Sequence, residues 1–360
     1  MQLRIPGPTP CPPEVLQIMS KQMINHRGKE FGEIIVDVTE KLKKVFQTKN
    51  DILLLTGSGT GGMEATIVNM LSPGDKVLSV SNGSFGERFA VIAETYGAKV
   101  NRLAFEWGEP IDAEAVRQAL KDDPEVKAVL ITHNETSTGM TNDLATINAI
   151  IKEFDKLILV DAISGLGSID LQVDNWNCDV AITGSQKGWM VPPGLAMVSV
   201  SDKAWKAHAE AKMPRFYWDF TRAKTLFEKK QTPWTPAVPI FPALQVALNM
   251  ILAEGVPNLF TRHARVADVA RSGVKSLGLS LFADEKYASN TITAIRAPSD
   301  KFDVNKFRNT LRDEYGVELA GGQGKLAGKI FRIGHLGWVE ENDMKEVLDA
   351  MAKLLPQMTS

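Results

Sequence analysis

Between residues 50 and 200 six short apolar runs alternate with helix-length amphipathic segments, a rhythm that few architectures accept. The runs are Ile52 to Leu55, Lys76 to Val80, Val126 to Thr132, Lys156 to Val160, Val180 to Thr183 and Leu195 to Val200. Their apolar residues are continuous rather than alternating, so strands made from them must bury both faces. Helical patterns fill Glu64 to Leu71, Phe85 to Tyr96, Asp112 to Leu120 and Leu144 to Phe154. Doubly buried strands spaced by helices predict an α/β fold, a mostly parallel sheet flanked by helices.

At 360 residues the chain exceeds what one core usually organises, so two domains are expected. The texture changes after Ser201. Segment 214–239 is rich in proline and aromatic residues without periodicity, and reads as a long irregular connection crossing between domains. From Ile240 a helical pattern runs to about Ser276, with a break at Gly255-Val256-Pro257. Strand-like Asn290 to Ile295, helical Asp303 to Tyr315, strand-like Lys329 to Ile333 and helical Glu340 to Leu355 follow. These make a smaller α+β C-terminal domain. The expected division is 15–240 for the large domain and 241–360 for the small one, joined by the N-terminal arm 1–14.

Several function classes lose support at once. With 41 basic and 43 acidic residues the formal charge is -2, so nothing favours a nucleic-acid or anionic-membrane partner. Two cysteines, Cys11 and Cys178, make no disulfide framework and suit a reducing compartment. The opening MQLRIPGPTPCPPE has prolines where a signal peptide needs an apolar run, and no stretch is apolar enough to span a bilayer. A cytoplasmic enzyme is the expectation. His26, His133, His208, His263 and His335 show no ligand spacing, so no metal site is expected. Lys41, Lys43 and Lys44 read as a solvated helix face, and Trp189 and Trp218 as core or rim.

Gly57-Ser58-Gly59-Thr60-Gly61-Gly62 lies directly between a strand and a helix. Backbone N–H groups of such a turn, with the positive helix end, form an anion site. The dinucleotide reading of these glycines needs an acid at the end of the next strand, but that strand ends Val80-Ser81-Asn82. No Gly-Lys-Ser/Thr follows either. A single phosphate is the better ligand, set against a glycine turn that binds nothing.

Two later strand ends carry charge. The run Leu157 to Val160 drives into Asp161, and the next ends in Gly184-Ser185-Gln186-Lys187-Gly188. In open α/β sheets, ligands bind outside the carboxyl ends of the strands, where these residues and the glycine loop converge. Taken singly, either residue is explained by an Asp–Lys ion pair. Together with the loop they are what pyridoxal 5'-phosphate requires: a lysine for the Schiff base, a carboxylate for the pyridine nitrogen and a phosphate cradle.

The chain also resembles a known family along nearly its whole length. The strings are Pro6-Gly7-Pro8-Thr9, Gly57 to Thr60, Asn82 to Arg88, Thr132 to Gly139, Val160-Asp161, Gly184 to Lys187, Pro192 to Gly194 and Phe331 to Gly334. They resemble the class V aminotransferases of pyridoxal-phosphate fold type I, in the alanine–glyoxylate and serine–pyruvate branch. The resemblance implies that Lys187 is the Schiff-base lysine and Asp161 the pyridine partner. It places Ser58, Gly59, Thr60 and Gln186 around the phosphate, and Phe85, Thr136 and Ile163 in the rest of the cofactor site. Arg332 matches the arginine that holds the substrate α-carboxylate. Small amino acids and 2-oxo acids are the implied substrates, alanine or serine with glyoxylate or pyruvate.

Some positions depart from the family. Phe85 stands where this branch usually stacks a tryptophan. Thr232 aligns with a tyrosine that the neighbouring subunit supplies to the phosphate, and Thr235 with a threonine that does likewise. Thr232 is too short for that reach, so only Thr235 is carried over. Active sites shared in this way imply a homodimer. Arg27 meets either a second substrate carboxylate or a surface partner. The rival readings are a class V lyase or desulfurase, which needs a later cysteine or a stacking histidine, and a non-catalytic subunit retaining the fold.

Overall fold

The computed structural model describes residues 1–358. In chain order its strands are β1 (Gln2–Arg4), β2 (Asp51–Gly57), β3 (Lys76–Ser81), β4 (Lys99–Ala104), β5 (Ala128–Thr132), β6 (Asn134–Glu135) and β7 (Met140–Thr141). They continue with β8 (Leu157–Asp161), β9 (Val180–Gly184), β10 (Gly194–Val200), β11 (Ile292–Arg296), β12 (Val317–Gly321) and β13 (Ile330–Gly334). The first helices are α1 (Pro13–Met19), α2 (Lys29–Phe46), α3 (Gly59–Met70), α4 (Ser84–Thr95), α5 (Ala113–Asp122) and α6 (Leu144–Glu153). The rest are α7 (Asp202–Glu210), α8 (Phe220–Glu228), α9 (Ile240–Glu254), α10 (Val256–Ser276), α11 (Val304–Tyr315) and α12 (Glu341–Met358).

A seven-stranded sheet runs β2-β10-β9-β8-β5-β3-β4, with β10 antiparallel to both neighbours and the other pairings parallel. Alternation along each run divides its side chains between two cores. Ile52, Leu54, Val129, Ile131, Ile158 and Val160 face one core with α2, α5, α6 and α9. Leu53, Leu55, Ala128, Leu130, Leu157 and Leu159 face the other with α3, α4, α7 and α8. Continuous apolar runs are therefore what this sheet demands. A second sheet, β1-β12-β13-β11, packs its face on α10, α11 and α12 around Phe307, Phe331 and Val347.

The architecture is the expected α/β one, with local differences. Segment 214–239 is not a crossing between domains, because it stays on the first domain and contains α8. Asp219 caps that helix by accepting the Arg222 N–H, and Phe220 is fully buried beneath it. Only Phe220 and Ala223 of α8 are buried, too few to print a period on the sequence. The edge strand β4 also has no apolar run, since Lys99, Asn101, Arg102 and Ala104 face solvent. Helix α9 packs with α1 and α2 in the first core. The cores change along α10, between Leu259 and Val266, later than the boundary read at 240. Among the described residues no single helix is long and apolar enough to cross a membrane.

Candidate active site

Strands β2, β3, β5, β8 and β9 point the same way, so their carboxyl ends share one sheet edge. That edge gathers the glycine loop after β2, Asn82-Gly83 after β3, His133 to Thr136 after β5, Asp161 ending β8 and Gln186-Lys187 after β9.

The cradle is built from α3. No side chain caps its N-terminus and no acid stands in its first turn, so its leading N–H groups are left for an anion. Gly59 has no room for a side chain, because a Cβ would meet the Ile163 Cδ1 at 2.6 Å. Gly57 is likewise shut in by Trp218, whose Cη2 would lie 2.8 Å from a Cβ. The Gln186 Oε1 is buried without a hydrogen-bond partner beside this turn, and since that oxygen only accepts, it is the side chain's amide N–H groups that would donate to an anion here. Thr60 Oγ1 accepts from Arg88 Nη1 at 3.3 Å, which leaves its own proton to donate.

Asp161 is buried, with Oδ1 accepting the Ile163 N–H at 2.9 Å. Burial raises its pKa to about 7, and the charge of Glu135 adds to the rise while Lys187 and Arg88 oppose it. A cation beside the carboxylate, such as a protonated pyridine nitrogen, would restore its charge. Burial acts the opposite way on Lys187 and lowers it to about 8, against the pull of Asp161. Its Nζ donates to the Pro6 carbonyl at 2.6 Å.

Across the edge, Glu135 organises the start of α4. Its Oε2 accepts the N–H groups of Phe85 (3.0 Å) and Gly86 (3.1 Å), and its Oε1 accepts the N–H (3.0 Å) and hydroxyl (2.6 Å) of Ser137. Burial raises the Glu135 pKa and those four donors resist the rise. Phe85 is thereby fixed with its ring half-buried and the Arg88 guanidinium 4.6 Å from the ring centroid. Thr136 donates to Ser164 Oγ at 2.7 Å.

Arg332 reaches the site from β13. It is 4% exposed, and burial lowers its pKa to about 10 despite the charge of Glu135. Its Nε and Nη2 donate to the Gly321 carbonyl (2.9 and 2.7 Å) and its Nη1 to the Thr136 carbonyl (3.0 Å). These neutral acceptors orient the fork without neutralising it, and leave N–H groups for a planar anion.

Other expected positions lie apart. Thr235 is exposed, whereas Thr232 is buried and spends its hydroxyl on the Trp234 carbonyl. Arg27 donates to the carbonyls of Thr232 (2.6 Å) and Pro233 (3.3 Å) and so braces that loop. His133 is fully buried, and burial lowers it to about 4, so its ring stays neutral. Sequence reasoning gave Glu135, Arg88 and Ser164 no role, though the first two lie inside the strings quoted above.

Pyridoxal phosphate fits this arrangement: an uncapped helix end beside a glycine with no room for a side chain, a buried carboxylate and a buried amine. The depressed Lys187 has a measurable consequence. Only the unprotonated amine attacks an aldehyde, so capture of added pyridoxal phosphate by cofactor-free protein rises with pH through about 8 and levels above it. Stopped-flow absorbance across pH tests this. A midpoint at the ordinary lysine value of 10.5 would contradict it.

A family model described as Aminotransferase class-V matches residues 3–331. The soluble hydrogenase 42 kDa subunit of Anabaena cylindrica is 43% identical over 361 residues, covering 99% of this chain and 94% of that protein. The L-aspartate–glyoxylate aminotransferase of Paracoccus denitrificans is 40% identical over 340 residues, covering 92% and 85%. Among solved structures, the ureidoglycine–glyoxylate aminotransferase of Bacillus subtilis superposes with a TM-score of 0.95 at 31% identity, covering 100% of this chain and 94% of that one.

Proposed function

Because the chain belongs to the class V aminotransferases, we propose that its substrates are a small monocarboxylic amino acid, alanine or serine, and glyoxylate or pyruvate. The coarser activity is plain: it is a pyridoxal-phosphate-dependent transaminase that moves an amino group from an amino acid to a 2-oxo acid.

The observation that carries the substrate reading is the supply of guanidinium groups. Arg332 holds only backbone carbonyls and is free to take an α-carboxylate. Arg27 is spent on the carbonyls of Thr232 and Pro233, and Arg88 is turned to Thr60 and the Phe85 ring. One open fork suits one carboxylate. A dicarboxylic donor would leave its second carboxylate unpaired, which is costly in a buried site.

Bound pyridoxal phosphate supplies an aldehyde carbon for the amino group and a protonated ring that draws electrons from the substrate α-carbon. Asp161 would hold the proton on the ring nitrogen. Ser58, Thr60, the Gln186 amide and the first N–H groups of α3 would hold the phosphate, and Phe85 and Ile163 would hold the rest of the cofactor. Lys187 Nζ would take the α-proton as base and give it back as acid. Arg332 closes on the carboxylate from the second domain and helps exclude water. The exposed Thr235 is left for the phosphate of a second copy, which would make the working unit a homodimer.

A panel of alanine, serine and aspartate against glyoxylate, pyruvate and 2-oxoglutarate tests the pairing. Alanine or serine with glyoxylate is expected to exceed aspartate by about tenfold or more in kcat/KM, the loss an unpaired buried charge imposes. A preference for aspartate would overturn the monocarboxylate reading. The Anabaena relative's name raises a second reading, a subunit that keeps the fold without turnover. Turnover by the purified chain alone excludes that reading.

A further inference from the structure

The N-terminal arm begins as an outer strand of the second sheet, where β1 pairs with β12, and ends on the lysine of the first domain. The Pro6 carbonyl accepts from Lys187 Nζ at 2.6 Å. Further along, the Thr9 N–H donates to the Gln186 carbonyl (3.1 Å) and the Thr9 hydroxyl to the Lys187 carbonyl (3.0 Å). Residues 6–9 therefore hold both the backbone of Lys187 and its amine.

The arm is also closely confined. On one side Ile5 lies against Gly334, where a Cβ would meet the Ile5 carbonyl oxygen at 2.2 Å. On the other, Gly337 approaches the Lys187 carbonyl, and a Cβ there would lie 3.1 Å from it. Gly7 lets the arm pass beside the lysine stem. Its φ is +132°, and a Cβ would fall 2.6 Å from Nζ, 2.8 Å from Cδ and 2.9 Å from Cε. No residue with a side chain fits that passage unless the lysine moves.

The chemistry gives this contact a purpose. Each half of a transamination leaves Lys187 unbonded for part of the time, because the transferred amino group occupies the cofactor carbon. An unbonded amine in a buried site needs an acceptor. A carbonyl serves both the protonated and the neutral amine. Unlike a carboxylate, it adds no charge that would lock the proton in place.

We propose that the Pro6 carbonyl is the resting acceptor of the Lys187 amine whenever that amine is not bonded to the cofactor. The arm is then a positioning element that keeps the amine aimed for its return. The proposal rests on Lys187 being the cofactor lysine.

The test compares two ligands on the full-length, cofactor-free protein. Pyridoxal 5'-phosphate is captured by condensation, in which the Lys187 amine adds to the aldehyde, a C=N bond forms and water leaves. Pyridoxamine 5'-phosphate carries an amine instead of the aldehyde and binds without bonding to Lys187. Gly7→Ala is expected to slow capture by about tenfold or more, since misplacing a reacting atom by an ångström costs that much. It should leave pyridoxamine phosphate affinity little changed. Thr9→Val, which frees the arm without crowding the amine, should shift capture the same way by less, and it serves if Gly7→Ala does not fold.

Unchanged capture in a folded variant would overturn the proposal, as would capture and pyridoxamine phosphate affinity falling together. Borohydride trapping followed by peptide mass spectrometry separates the two levels of argument. An adduct away from Lys187 defeats the site reading itself. An adduct on Lys187 with unaltered capture defeats only the role of the arm.

Discussion

Replacing Lys187 with alanine is expected to abolish transamination while leaving the protein folded. Among the described residues Lys187 is the lysine whose charge acts on Asp161, and its Nζ is held by one carbonyl in a buried position. Its removal takes away both the covalent anchor of the cofactor and the group that moves the α-proton. The proton-transfer role alone is worth about 10²–10⁴-fold, and loss of the covalent step compounds it. Stability should not suffer, because the amine is a buried polar group with one partner. Borohydride treatment of the parent should fix a phosphopyridoxyl group on Lys187, and the variant should carry none. Measurable turnover in Lys187→Ala, or an adduct on another lysine in the parent, would contradict the assignment.

Arg332 should show the next largest effect. Truncation to alanine removes the fork that meets the carboxylate and also abandons the carbonyls of Gly321 and Thr136 that it joins. The substrate carboxylate then enters a buried site unpaired, at a cost of about 2–5 kcal/mol in kcat/KM. Arg332→Lys keeps the charge but not the planar pair of donors, so KM should rise for amino donors and 2-oxo acceptors alike. The α-carboxylate is the group that every donor and acceptor shares, whatever the side chain. Kinetics altered on one side of the reaction alone would assign Arg332 to side-chain recognition instead. A melting curve distinguishes lost binding from lost domain contact.

The sequence made the large sheet legible for a physical reason. Strands buried on both faces are apolar at most positions, and β3, β5, β8, β9 and β10 are buried almost throughout. Strand β4 was silent because an edge strand with one wet face has no such demand. Asp161 and Lys187 were legible because each puts a charge at the end of an apolar run, where burial makes charge conspicuous. Arg88, Glu135 and Ser164 were not, since their roles depend on partners brought together only by folding. Glu135 is 50 residues from the Phe85 N–H it accepts, and Pro6 is 181 residues from the amine it holds. Spacing in the chain carries no trace of such pairs. Thr235 is exposed while Thr232 turns inward onto the Trp234 carbonyl, an orientation set by folding that the sequence carries no sign of.

The central claim is that this chain carries amino groups on a cofactor held at its own sheet edge. The most direct measurement is the visible spectrum of the purified holoenzyme during two successive additions. The account predicts a visible band that an amino donor such as alanine bleaches and that glyoxylate, added after removal of the donor, restores. A protein without the band, or with a band that answers to neither addition, would contradict it.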